Sequence, residues 1–260
     1  MARLGLATAC GLVYLFLLAP IVVVAGASFN AGAFLTFPPQ GVSLRWYDTF
    51  FHNEVFLRAI RTSVLVAAIT TVISGTIGTA ATIFYVRYAG RQRDWVRLAL
   101  LSPLLLPDVL TAIALLFFFY TIGFGGRGLA GMVVGHVLIT LPFVFLNVSA
   151  SLDGLDETYE LAARSLGAGP LLRFRRIVLP LIKPGVIAGC MFAFIVSFDT
   201  FSISFLLKGI GGSTLPIQLF DYLRMNFTPE AAAVSTLSIA LTIAVVVVAE
   251  TVLKLRIQRF

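Results

Sequence analysis

Six apolar runs, each long enough to cross about 30 Å of hydrocarbon as a helix, dominate this chain. Such a crossing takes about 20 helical residues, and runs of that length lie near 4–27, 62–86, 98–123, 129–149, 185–207 and 231–253. A soluble fold has no means of hiding them. Apolar residues make up 59% of the chain, against roughly 45–50% in a soluble domain. Hydrocarbon offers no partners to backbone N–H and C=O groups, so a spanning segment must satisfy its own. The fold class that follows is all-α, a polytopic membrane protein with six transmembrane helices.

The charged residues, 12% of the total, fall in short stretches between the runs. A net charge of +7 would suggest nucleic acid in a soluble protein. No basic patch interleaved with aromatics is present, and the excess is better read as positive-inside bias. With six crossings both termini share one side. That side carries thirteen Lys and Arg, including Arg87–Arg97, Arg164–Lys183 and the tail 255–260, against six on the other. Both termini are therefore predicted cytoplasmic. The first run has an apolar core longer than the roughly 7–15 residues of a signal peptide and is read as an uncleaved helix, residues 1–27. Residues 28–61 follow as an external loop in which Leu44, Trp46, Tyr47, Phe50 and Phe51 form an amphipathic, interfacial stretch. Residues 62–254 form the core, and 208–230 a second external segment, either re-entrant or on the surface.

Cys10 and Cys190 both sit in apolar runs, with no disulfide or metal spacing. His52 and His136 are the only histidines. This leaves no metal site and little basis for a catalytic triad.

The most ordered polar segment lies between the fourth and fifth runs. Asp153 and Asp156 suit N-caps, and Glu157 and Glu160 fall in a first turn where acids complement the macrodipole. Tyr159, Ala162, Ala163 and Leu166 share a helical face. Gly167, Gly169 and Pro170 end the helix, predicted over about 155–168. Such a helix suits either a groove on a partner protein or the lipid surface.

The residues Leu161-Ala162-Ala163-Arg164-Ser165-Leu166-Gly167-Ala168, followed by Ile177-Val178-Leu179-Pro180 and Pro184, resemble the cytoplasmic motif of ATP-binding-cassette importer permeases: an EAA triplet, a glycine, and an I-x-L-P at fixed distance. The motif's acid position is Leu161 here, with Glu160 one residue earlier. Over the whole chain the sequence is most similar to the polyamine (spermidine/putrescine) permeases. The matching stretches are Ser28-Phe29-Asn30, Ser43-Leu44-Arg45-Trp46-Tyr47, Ser102-Pro103 with Pro107-Asp108, Leu141-Pro142-Phe143-Val144 and Phe198-Asp199. The resemblance implies a non-catalytic pore subunit in a bacterial inner membrane. Its implied partners are two ATPase subunits, a second homologous permease, an extracytoplasmic solute-binding protein and the lipid bilayer. It implies a coupling helix whose ATPase contacts are Tyr159, Glu160, Leu161, Ala162, Ala163, Leu166, Gly167 and Ala168. No cofactor is expected on this chain, ATP and Mg being held by the ATPases, and no G-x-x-x-x-G-K-[ST] loop occurs. Relatives in the same group carry iron, thiamine, phosphonates or amino-acid-like solutes, which remain alternative cargoes.

Asp108 and Asp199 fall in the apolar runs, where a carboxylate costs about 2.5–3.5 kcal/mol on insertion scales. Two such acids would suit a cationic solute on a translocation path, or would be paired structurally. His136, Thr140 and Asn147 share one face of the fourth run, and Ser197 and Thr200 enrich the fifth; these too are path candidates. Ser63, Thr70, Ser74 and Gly78 in the second run read as a close-packing stripe. Pro103 and Pro107 interrupt the third run and are a candidate gate or hinge. An ion-coupled secondary transporter would need repeats or more intramembrane charge, and a membrane hydrolase a nucleophile–base pair; neither pattern is present.

Overall fold

The computed structural model describes residues 2–124, 127–156, 158–210 and 212–252, so Glu157 and the tail 255–260 lie outside the described residues. All regular elements among the described residues are helical: α1 (Ala2–Ser28), α2 (Arg45–His52), α3 (Glu54–Arg87), α4 (Arg93–Leu105), α5 (Asp108–Thr121), α6 (Leu129–Asp153), α7 (Thr158–Ser165), α8 (Pro170–Arg173), α9 (Leu179–Asp199), α10 (Ser202–Leu207), α11 (Leu215–Met225) and α12 (Glu230–Val252). Among the described residues, five stretches are long and apolar enough to cross a membrane as continuous helices: Gly5–Ser28, Glu54–Arg87, Leu129–Asp153, Pro170–Asp199 and Glu230–Thr251. A sixth crossing exists if the bent pair α4–α5 counts as one.

That pair is the predicted third run, interrupted as its prolines suggest. Residues 98–123 do not form one helix; α4 and α5 meet at 107°. Pro107 is the cause. Its ring excludes the helical conformation from the residue before it, and Leu106 is extended (φ −100°, ψ 138°). The fifth run also differs from expectation. Helix resumes at Pro170, fifteen residues before the predicted start, because proline is well suited to a first helical position. One π turn, Phe174–Val178, joins α8 to α9 just before Pro180. The helix then breaks at Thr200 (φ −67°, ψ 115°).

The chain divides into two compact units, Met1–Arg58 with Ile217–Ala244, and Ala59–Pro216 with Val245–Phe260. In the first, Asn30 organises the loop after α1. Its amide donates to the Phe34 carbonyl (2.9 Å) and Thr36 Oγ1 (2.8 Å), and its Oδ1 accepts from the Gly32 and Gln40 amides. Trp46 Nε1 donates to the Asn30 carbonyl at 2.8 Å, and the Tyr47 and Ser28 hydroxyls meet at 2.6 Å. Of the expected interfacial stretch, Phe50 is buried, Trp46 and Tyr47 are half-buried, and Leu44 and Phe51 stay outward. The segment 208–230 contributes a helix, α11, in place of a plain loop. Its Tyr222 hydroxyl donates to Glu230 Oε2 (2.7 Å), while Asn53 donates to Oε1 (3.1 Å), so the buried Glu230 carboxylate is held on both oxygens.

In the second unit α6 and α9 cross closely. A Cβ on Gly185 would lie 2.5 Å from the Asn147 carbonyl oxygen, and one on Gly189 2.8 Å from Val144 Cα. Apolar side chains pack on both sides of this crossing, around Met132, Ile203 and Leu207 at one end and Val148, Val178 and Ile182 at the other. The predicted stripe on α3 does pack: Ser63 Oγ accepts from the Leu215 amide (2.8 Å), Ser74 meets Thr140 (2.8 Å), and Gly78 faces Val144.

Candidate functional site

Three groups of residues in the larger unit carry the chemistry read from the sequence. The motif lies on α7. Asp156 caps this helix by accepting from the Thr158 hydroxyl and amide, which holds its carboxyl below the usual range. Gly167, at φ +79°, ends the turn in the left-handed region that favours glycine. No α7 side chain is buried. Leu161, at the motif's acid position, is 58% exposed, so an acid there would point away from the chain; Leu166 (88%) and Tyr159 (60%) are also outward. Glu160 turns the other way and accepts from Arg87, the last residue of α3. Behind α7 lies a cavity of about 550 Å³, lined by Arg87, Leu152, Glu160, Arg164, Arg173 and Phe174 among others. Ala162 is exposed, and Ala163 and Ala168 are half-buried.

The second group is the pair of acids. Asp108 opens α5 directly after the bend at Pro107 and is exposed. An acid in a first turn complements the helix macrodipole. Asp199 closes α9, also exposed, at the other kind of end. There the carbonyls already carry partial negative charge, and the carboxylate adds to it. Thr200 Oγ1 donates to the Val196 carbonyl and covers one of them. A helix C-terminus that also bears a carboxylate attracts cations. Pro103 lies inside α4 and Pro107 caps α5.

The third group is closed. His136 and Thr140 are fully buried, and Ser197 nearly so. His136 Nδ1 lies 2.7 Å from Ser197 Oγ and Nε2 2.9 Å from Ser204 Oγ. Ser204 spends its proton on the Thr200 carbonyl (2.9 Å), so Nε2 is the donor to Ser204, and Nδ1 shares a hydrogen bond with the Ser197 hydroxyl. Both ring nitrogens are thus satisfied. Thr140 donates to the His136 carbonyl (2.8 Å). The imidazole thus joins α6 to both sides of the break at Thr200. These three residues were expected with the path; the structure brings them together in an interior cluster. Asn147 is half-buried and donates to the Phe143 carbonyl of its own helix (2.8 Å). Among the described residues there is no group of His, Cys, Asp and Glu suited to a metal ion.

Residues 75–259 match the family described as binding-protein-dependent transport system inner membrane component. The chain belongs to this family. The transport component is 30% identical to the spermidine/putrescine transport system permease protein PotC of Haemophilus influenzae, over 92% of each chain. It is 35% identical to the putrescine transport system permease protein PotI of Escherichia coli, over 86% of this chain and 82% of that one. Among solved structures, it shares a fold with a bacterial ABC transporter that imports the acidic polysaccharide alginate (TM-score 0.76, 15% identity, covering 99% of this chain and 96% of that one). The inward-facing MetNI methionine ABC transporter is also similar (TM-score 0.66, 17% identity, covering 77% and 95%).

Two features of this transport component escaped the sequence reading. Arg87 was counted only for orientation, and nothing in the chain marks it as the partner of a residue so distant. Gly185 and Gly189, in contrast, form a Gly-x-x-x-Gly pattern, a visible signal for close helix approach.

Proposed function

We propose that this chain is the permease subunit of an ATP-driven importer and forms half of the path for a polyamine. The carrying observation is Asp199, an exposed carboxylate on the C-terminal end of a broken helix, where dipole and charge both attract an ammonium group. The names of the relatives PotC and PotI support the same cargo. Asp108 offers a second exposed carboxylate beside the bend at Pro107, which acts with Pro103 as the gate. Thr200 and Asn147 border the path, and His136, Thr140 and Ser197 support it from behind.

In this reading α4–α5 counts as one crossing, both termini are cytoplasmic, and the membrane is a bacterial inner membrane. The chain hydrolyses nothing itself. Two ATPase subunits, which hold ATP and Mg, receive α7 through Tyr159, Leu161, Ala162 and Leu166. A second, homologous permease completes the path, and an extracytoplasmic binding protein delivers the solute. Closure of the ATPases then rocks the permeases between outward-open and inward-open states.

The test is uptake of labelled spermidine and putrescine at micromolar concentration in cells with and without the gene. Loss of uptake on deletion supports the polyamine reading. Unchanged uptake of both overturns it and directs attention to the ligand of the cognate binding protein.

A further inference from the structure

The helix that carries the motif is weakly held by apolar packing. None of its side chains is buried, and a cavity of about 550 Å³ opens between it and the residues Arg87, Leu152 and Phe174. Across that hollow, among the described residues, runs one ion pair, from Arg87 Nη2 to Glu160 Oε1, with side chains 26% and 16% exposed. Arg87 is well placed to bear load. It ends α3, a continuous helix of 34 residues, where a basic side chain complements the macrodipole. Further along, α3 is tied to α6 through Ser74 and Thr140 and to the start of α11 through Ser63.

We infer that Arg87 and Glu160 are positioning residues, a strut that makes α7 and α3 move as one body when the ATPases shift α7. The inference rests on the reading of α7 as the docking helix. The outward position of the motif is occupied by Leu161, so the acid of this helix serves an internal contact. Its role is geometric: with a hollow behind α7 and no buried α7 side chain, the charged contact links α7 directly to the end of α3, beside the chain's own path through α8 into α9.

The experiment uses the assembled transporter with its ATPases and binding protein in proteoliposomes, and reads solute moved per ATP hydrolysed. Arg87→Glu and Glu160→Arg, made singly, are expected to lower that ratio by about fivefold or more. The exchanged pair, carrying both changes, is expected to return to within about twofold of the original. Unchanged ratios in the single variants, or a double variant no better than either single, overturn the strut. If the exchanged pair does not assemble, Arg87→Lys and Arg87→Gln decide. Coupling kept by lysine and lost by glutamine supports the strut, and equal coupling in the two overturns it. A Leu166→Cys reporter separates this from the docking reading. Failure to cross-link to the ATPase in the otherwise unaltered transporter counts against docking itself, whatever the charge variants do.

Discussion

His136 on α6 and Ser197 on α9 meet at 2.7 Å inside the larger unit, and the second nitrogen of the same ring reaches Ser204 beyond the helix break at 2.9 Å. One side chain therefore ties α6 to both α9 and α10 across the break. Replacing His136 by Leu leaves the nearly buried Ser197 hydroxyl without this partner. The expected cost is about 1–3 kcal/mol, read as a lower thermal unfolding midpoint of the purified complex. His136→Asn, which can still serve one serine, should fall between the two. A midpoint unchanged in His136→Leu would show that the cluster does not hold the break.

Gly185 and Gly189 set the closest approach of α6 and α9. At Gly185 a methyl group would meet the Asn147 carbonyl oxygen at 2.5 Å and Ser151 Oγ at 2.2 Å, and a backbone atom cannot rotate away. Gly185→Ala or Gly189→Ala should cost about 1–3 kcal/mol through overpacking. Gly154→Ala is the matched control. Its nearest new contacts are at 3.8 Å and 3.9 Å, and a change within about 0.5 kcal/mol is expected. Thermal unfolding of the three variants, measured side by side, checks the contrast.

Asp199→Asn keeps the size of the side chain and removes its charge. If the C-terminal end of α9 receives the ammonium group, the KM for polyamine uptake should rise by about tenfold, equivalent to roughly 1.4 kcal/mol of lost attraction. Asp108→Asn should act in the same direction. Full-rate uptake of a cation by Asp199→Asn, with KM unmoved, would remove this carboxylate from the path.

Burial, joined by the hydrogen bond and charge of Glu230, pushes the Tyr222 phenol up to about 12, against an opposing hydrogen bond from Thr228. The folded state thus keeps a proton that the unfolded state releases near the ordinary value of 10.0. The contribution is complete below pH 10 and is lost as pH rises from there toward 12. Ultraviolet titration should show one late tyrosine that disappears in Tyr222→Phe and titrates earlier in Glu230→Gln. An unaltered late component in Tyr222→Phe would assign it to another tyrosine.

The long apolar runs were legible because length and hydropathy are local properties of the chain. Pro107 marked an interruption at the right place, since the steric effect of a proline falls on its immediate neighbour, whereas Pro103 lies inside continuous α4. The size of the bend was not legible. Seen from the sequence, Leu106 only leaves the helix; the direction taken by α5 depends on what α5 packs against. The same limit explains the fifth run. Gly167 and Pro170 announce a stop, but Pro170 also starts the next helix.

Side-chain pairings divide in the same way. The spacing of His136 and Thr140 put them on one face of α6, yet their partners Ser197 and Ser74 lie on other helices. Glu160 stood out as an acid beside the motif's usual position. Its inward turn toward Arg87 was invisible, because no local pattern links two residues so far apart. By itself the sequence determined an all-helical membrane protein, the break at Pro107 and the motif of its family, all consequences of composition and near-neighbour sterics. The tertiary structure alone decided which polar groups close on one another and which stay open, since burial and charge pairing are properties of surfaces that meet only when the helices pack.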